Sequence, residues 1–257
     1  MPSNLIGLYD GLKLSTTDLD GSNRGMVVSA HPDDGDLGAG GTVALLAQSG
    51  LSIRHIVVTD GRKGSPDPDT DQKLLVQNRL AEQKTAAKHL GVESVRSLSF
   101  PDGELKANRT LLEALVREIR EFKPEIVFTH DPESVTSGSG WIHHNDHRAT
   151  GSAVIDAVYP AARDPLNFPD QIRDGLEVHN VQTLYLWDTN NANINIDISE
   201  VFEQKLLALL SHRSQFPNSA RLVNNSRIQW QDVDGPREHE LLDLAMKGRG
   251  QVRQDLV

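Results

Sequence analysis

Over roughly the first 160 residues, short β-branched runs alternate regularly with longer amphipathic stretches, a pattern that few folds accommodate. A strand that leads into a helix and returns beside itself does so as a parallel βαβ unit with a right-handed crossover. The chain is therefore expected to be α/β: a Rossmann-like, mostly parallel sheet with helices on both faces. "GMVVSA", "SIRHIVVTDG", "VRSLSF" and "PEIVFTH" are the predicted strands. Between them lie the predicted helices "TVALLAQSG", ending at Gly50, "QKLLVQNRLAEQKTAAKHLG", closed by Gly91, and "RTLLEALVREIREF". The C-terminal third is less regular. There "VQTLYLWDT" and "INIDIS" are predicted strands, "SEVFEQKLLALLSHRSQF" a helix capped by its serine, and "REHELLDLAMKG" a terminal helix. Residues 163–180 are expected to form a long loop or a lid. With no repeat and no clear linker, residues 1–257 are expected to be one domain, with a core of about 24–216 and a C-terminal extension, 217–257.

Composition removes several function classes. The 36 acidic residues outnumber the 26 basic ones, giving a formal charge of −10, and no basic stripe offers a surface to nucleic acid. No apolar stretch approaches the length of a membrane span, and the N-terminus lacks the basic start and apolar run of a secretory signal. There is no cysteine, so a metal would be held by nitrogen and oxygen, and a cytoplasmic location is expected. A homo-oligomer is compatible with all of this.

In open α/β sheets ligands bind beyond the carboxyl ends of the strands. Four predicted strands end in polar loops: "HPDDGD", "TDGRKG", "PDG" and the segment that closes with "HHNDH". On a tight turn His31 and Asp34 converge on one cation while Asp33 points elsewhere, and "HHNDH", 143–147, lies at the same sheet edge. Three ligands from two loops compose a catalytic zinc site with one open position. Taken singly, each cluster has a plainer explanation: "HPDD" as a turn, and Asp146 as a helix cap. Two clusters at two strand ends favour the metal. Two other motifs are weak. "GAGGTV", with Asp60 as a ribose acid, would make a nucleotide-binding module, but Val43 stands at the third glycine position. "DPDTDQ" resembles a calcium loop without its turn glycine, and is expected to be an acidic loop bordering the site.

"AHPDDGDLGAGGT" together with "HHNDHRATG" resembles the LmbE-like (PIG-L) family of zinc-dependent N-acetylglucosaminyl deacetylases. The similarity continues through "NRLAEQKTAAKHLGV", "FPDGEL", "KPEIVFTHDP" and "IDISEVFEQKLLALLSHRSQF", most of residues 26–216. The resemblance implies His31, Asp34 and His147 as ligands of Zn2+, although two histidines and a carboxylate also suit Fe2+ or Co2+. It implies Asp33 as general base. His144 would steady the oxyanion or protonate the leaving amine, and Asp146 would orient a histidine. Arg79 is implied to reach the substrate rather than to form an ion pair with Glu82, three residues on. Asp102 and Arg62, in strand-end loops, would bind sugar hydroxyls. His212 matches a family pattern, although a histidine late in a helix also suits the helix dipole. One departure is plain: Gly35 stands where the family usually has Glu, with Asp36 as a substitute acid. The activity implied is removal of the N-acetyl group from an N-acetylglucosamine-type sugar or its conjugate. The alternatives are an amidase acting on a thiol conjugate or a secondary-metabolite glycoside, or a metal-independent nucleotide-binding module.

Overall fold

A computed structural model describes residues 23–136, 142–192, 196, 198–218 and, as backbone, 250–255. Its strands are β1 (Arg24–Ser29), β2 (Ser52–Thr59), β3 (Ser94–Phe100), β4 (Ile126–His130), β5 (Thr183–Thr189) and β6 (Gly250–Asp255). Its helices are α1 (Asp34–Gln48), α2 (Gln72–His89), α3 (Arg109–Phe122), α4 (Asn145–Asp156), α5 (Pro169–Arg173) and α6 (Phe202–Ser211). The sheet order is β3-β2-β1-β4-β5-β6, with the first five strands parallel and β6 antiparallel to β5. The chain builds outward from β1 to β3 and then restarts on the other side of β1 with β4. A crevice opens where that order reverses, at the carboxyl ends of β1 and β4.

Alternation along β1 explains the two helix layers. Met26 and Val28 point to one face, where they pack with Leu111, Leu115 and Ile119 of α3 and Val154 of α4. Val27 points to the other, against Val43 and Leu46 of α1 and Ala208 of α6. Local chemistry sets the helix ends. The Asp71 carboxylate accepts from the Lys73 and Leu74 amides at the start of α2, and Asn108 accepts from Leu111 at the start of α3. Gly91, at φ +72°, takes the left-handed conformation that releases the chain after α2. Among the described residues no helix is long and apolar enough to cross a membrane.

Several expectations need correcting. The first helix starts at Asp34 rather than Thr42, so it takes in the glycines of "GAGG". Those glycines serve packing: an added Cβ at Gly38 would lie 2.5 Å from the Trp187 ring, and one at Gly41 2.6 Å from Ile198. A phosphate-binding loop there is thereby excluded, because the glycines are inside a buried helix. Of the "INIDIS" segment only Ile196, Ile198 and Ser199 are described, and none of them is in a strand. Among its described residues Ile198 precedes a 3-10 turn, Ser199–Val201, and Ser199 opens that turn instead of capping α6. The acidic "DPDTDQ" loop is the entrance to α2, where Asp71 acts as its cap.

Residues 163–180 are not a free lid. The fully buried Arg120 guanidinium donates to the carbonyls of Ala161, Ala162, Asp164, Asn167 and Phe168, and α5 interrupts the loop. The predicted terminal helix, 237–248, lies outside the described residues. Nothing in the sequence signalled β6, whose strand contains no alternating apolar pattern.

Candidate metal centre

β1 ends at Ser29, and the chain turns at once into α1 through "AHPD". The turn closes on its own side chain: Asp34 Oδ2 accepts from the His31 amide at 2.7 Å and lies 3.2 Å from His31 Nδ1. Asp33, just before α1, sits at φ +94°, a conformation that costs a non-glycine residue on the order of 1–3 kcal/mol. Across the crevice, His144 caps α4 by accepting from the Asp146 amide at 3.2 Å. The cap is thus His144 and not Asp146. One turn further on, His147 places Nε2 3.2 Å from Asp34 Oδ1.

Three sets of side chains bring potential ligand atoms within 4.8 Å of one another: His31, Asp34 and His147; His31, Asp102 and His144; and His130, His147 and Asp188. Geometry favours the first. The His130 and His147 rings of the third set are stacked, with centroids 4.1 Å apart and planes inclined by 26°, so they face each other rather than a common point. His130 Nδ1 is also already used, accepting from the Trp187 indole at 3.0 Å. In the second set Asp102 is engaged by the Lys63 amide at 2.9 Å, and His144 lies at the open rim. The first set draws an imidazole and a carboxylate from one turn and an imidazole from α4. Behind it, His31 Nε2 meets Asp102 at 3.0 Å, a carboxylate placed to orient a ligating imidazole.

Charge supports the same choice. Burial opposes a charge on His31, yet Asp34, Asp102 and Asp146 push its pKa up to about 12, which marks a place that draws positive charge. Burial likewise opposes ionisation of Asp34, but His147 and His31 hold its carboxyl well below the usual range. Burial, with His130 and His31 nearby, brings His147 down to about 4 and keeps its imidazole neutral, the form that binds a metal. Its Nδ1 is buried without a partner. The donor set therefore fits a divalent cation of the nitrogen- and oxygen-binding kind. Asp33 differs: burial and the neighbouring Asp34 charge push its carboxyl up to about 7, the range of a general base at neutral pH.

The other predicted residues divide into those inside the centre and those at its edge. Arg79 is buried, donating to the carbonyls of Gly61 at 2.9 Å and Pro32 at 2.8 Å, with Nη2 3.6 Å from Asp33 Oδ2. It forms no pair with Glu82, which accepts from the Ser214 amide and hydroxyl. Asp146 is fully buried and accepts from the Gly103 and Leu105 amides, fixing the loop that carries Asp102. Arg62 leans outward, with its guanidinium on Asp60, the supposed ribose acid. Sequence reasoning passed over His130, Gln83 and His55. His130 ends its strand at the ligand edge, a position that could have flagged it; nothing local distinguishes the other two.

A divalent-cation centre with an adjacent base, at the carboxyl edge of a parallel sheet, is the equipment of a metal-dependent hydrolase. The model of one such family, PIG-L (GlcNAc-PI de-N-acetylase), matches residues 26–158. Diacetylchitobiose deacetylase from Thermococcus kodakarensis is 37% identical over 192 residues, 75% of this chain and 70% of the relative. A probable N-acetyl-alpha-D-glucosaminyl L-malate deacetylase 2 from Bacillus cereus is 30% identical over 200 residues, 74% of this chain and 82% of that protein. The solved structure of N,N'-diacetylchitobiose deacetylase from Pyrococcus horikoshii superposes with a TM-score of 0.74 at 28% identity, covering 91% of this chain and 84% of the other. This chain belongs to the PIG-L family of de-N-acetylases.

Proposed function

We propose that this protein is a zinc-dependent N-deacetylase that cleaves the acetamido group of an N-acetylglucosamine-type sugar or its conjugate. The observation that carries the proposal is the convergence of His31, Asp34 and His147 with Asp33 beside them. His31, Asp34 and His147 would hold the ion, which when bound supplies an acidified water and polarises the amide carbonyl. Asp33 takes a proton from the attacking water, and Arg79, 3.6 Å away, favours its ionised form against burial and the Asp34 charge. The water oxygen adds to the amide carbon, the C–N bond breaks, and acetate and a free amine leave. His144, whose side chain is 44% exposed, stands at the mouth, where it can hold the developing oxyanion or return a proton to the amine. Asp146 positions the Asp102 loop, and Asp102 combines orientation of His31 with a carboxylate for a sugar hydroxyl. Arg62 would reach a more distal hydroxyl.

Residues 24–216 would form one catalytic domain, and the lack of cysteine suits the cytoplasm. N,N'-diacetylchitobiose is the first substrate to try, because two similar proteins are named for its deacetylation. The test is acetate release from that sugar, from N-acetylglucosamine and from N-acetylglucosaminyl conjugates, before and after chelation and after zinc, iron or cobalt is returned. Activity that survives complete metal removal would refute the mechanism. Restoration by a metal other than zinc would correct the ion.

A further inference from the structure

Behind the turn that carries Asp33 lies a buried polar network outside the ligand set. Gln83 of α2 is completely buried, and its side-chain oxygen accepts from the Asp33 amide at 2.8 Å. Its amide nitrogen donates to Asp36 Oδ2 at 2.9 Å and approaches His55 Nδ1 at 3.2 Å. These partners fix the orientation of the amide, since the flipped form would set donor against donor and oxygen against carboxylate. His55 Nδ1 therefore accepts, and His55 Nε2 carries the proton toward Ser29 Oγ at 2.9 Å. The Ser29 hydroxyl in turn donates to the His31 carbonyl at 3.0 Å. From the end of α6, His212 Nε2 donates to Asp36 Oδ2 at 2.7 Å. Starting from two helices, two strands and the residue that follows α6, the network ends on two backbone groups that flank Pro32: the His31 carbonyl and the Asp33 amide.

The same network accounts for Gly35. An added Cβ there would fall 2.7 Å from His55 Cε1 and Nε2 and 2.8 Å from Val27 Cγ1, so the imidazole fills the space a side chain would take. Glycine at position 35 seats His55, and Asp36 beside it supplies the carboxylate of the network.

We infer that Gln83 is a positioning residue for the reaction: locked by Asp36, His55 and His212, its oxygen holds the Asp33 peptide at a backbone conformation it would otherwise leave. A non-glycine residue at φ +94° persists only where its surroundings over-determine it, and a buried network that hydrogen-bonds both sides of Pro32 does that. The inference rests on Asp33 being the base for its effect on rate, but not for its effect on the peptide. It is specific to the acceptor at position 83. Gln83→Met keeps the volume and loses the acceptor. Gln83→Glu keeps the acceptor and can share a proton with Asp36.

The experiment compares the zinc-loaded wild type with both variants in three readouts: bound zinc per chain, kcat and KM on N,N'-diacetylchitobiose, and hydrogen exchange at the Asp33 amide. Gln83→Met is expected to bind zinc and to keep its KM within about twofold, while kcat falls about 10- to 100-fold and the Asp33 amide exchanges faster. Gln83→Glu should recover much of both. If Gln83→Met retains wild-type kcat and Asp33 protection, the inference is overturned. A fall in zinc content that tracks the loss of rate would overturn it as well, by making Gln83 a support of the ligands. If the wild type releases no acetate, the functional proposal fails, and exchange at Asp33 still decides the role of Gln83.

Discussion

The two halves of the metal centre are built in opposite ways. The half that follows β1, residues 29–36, is buried throughout and tied from α2, β2 and α6. The half that opens α4 is anchored at one point, where the buried Asp146 takes the Gly103 and Leu105 amides, while His144 and Ile142 in front of it stand exposed, Ile142 at 75%. Groups that bind a cation or move a proton from a fixed water need invariant geometry, whereas a group that meets an incoming sugar needs access. This division places His31, Asp33 and Asp34 on the rigid side and His144 on the accessible side. His147 joins them, carried by α4 but reaching to Asp34.

Substitutions that cross this divide should separate metal binding from catalysis. The largest effect is expected from His147→Ala, which removes a ligand: zinc measured by elemental analysis falls away and acetate release becomes undetectable. Asp33→Asn comes next. It should keep the ion and lose about 10³-fold in kcat or more, since it removes only the base. Loss of zinc instead would show that base and ligand have been assigned the wrong way round. His144→Ala should keep the ion too and cost about 10²-fold, with part of the loss in KM, because its ring stands where substrate enters. An unchanged KM and kcat would remove His144 from the mechanism.

The smallest effect concerns stability. Burial works against a charge on His212, but Asp36 raises its pKa above the usual histidine value. A group whose folded pKa is raised stabilises fully below its unfolded pKa, about 6.5, and loses that contribution as pH rises through the folded value. The gap in thermal stability between wild type and His212→Asn should therefore narrow as pH rises above about 6.5. A gap that widens with pH would mean that His212 is neutral in the folded protein.

The two halves also differed in how much the sequence disclosed. "HPDD" and "HHNDH" were visible because residue types and positions at strand ends were enough to predict convergence, and the parallel sheet order followed from the βαβ rhythm. The supports of the rigid half were not visible. Gln83 and His55 are ordinary residues within a helix and a strand, and only the fold brings them 2.8–3.2 Å from their partners. The extent of α1 was misjudged because glycine ordinarily weakens a helix; here close approach to Trp187 and Ile198 demanded it. The lid expected at 163–180 failed for a similar reason. A single arginine, Arg120, 43 residues before the earliest of them, satisfies the carbonyls that would otherwise leave that segment free.

The most direct test of the central claim is a crystal of the zinc-loaded protein measured at the zinc absorption edge. One anomalous peak is expected within bonding distance of His31, Asp34 and His147, with the Asp33 carboxylate beside it and not ligating. A peak between His130 and Asp188, or none at full zinc loading, would contradict it.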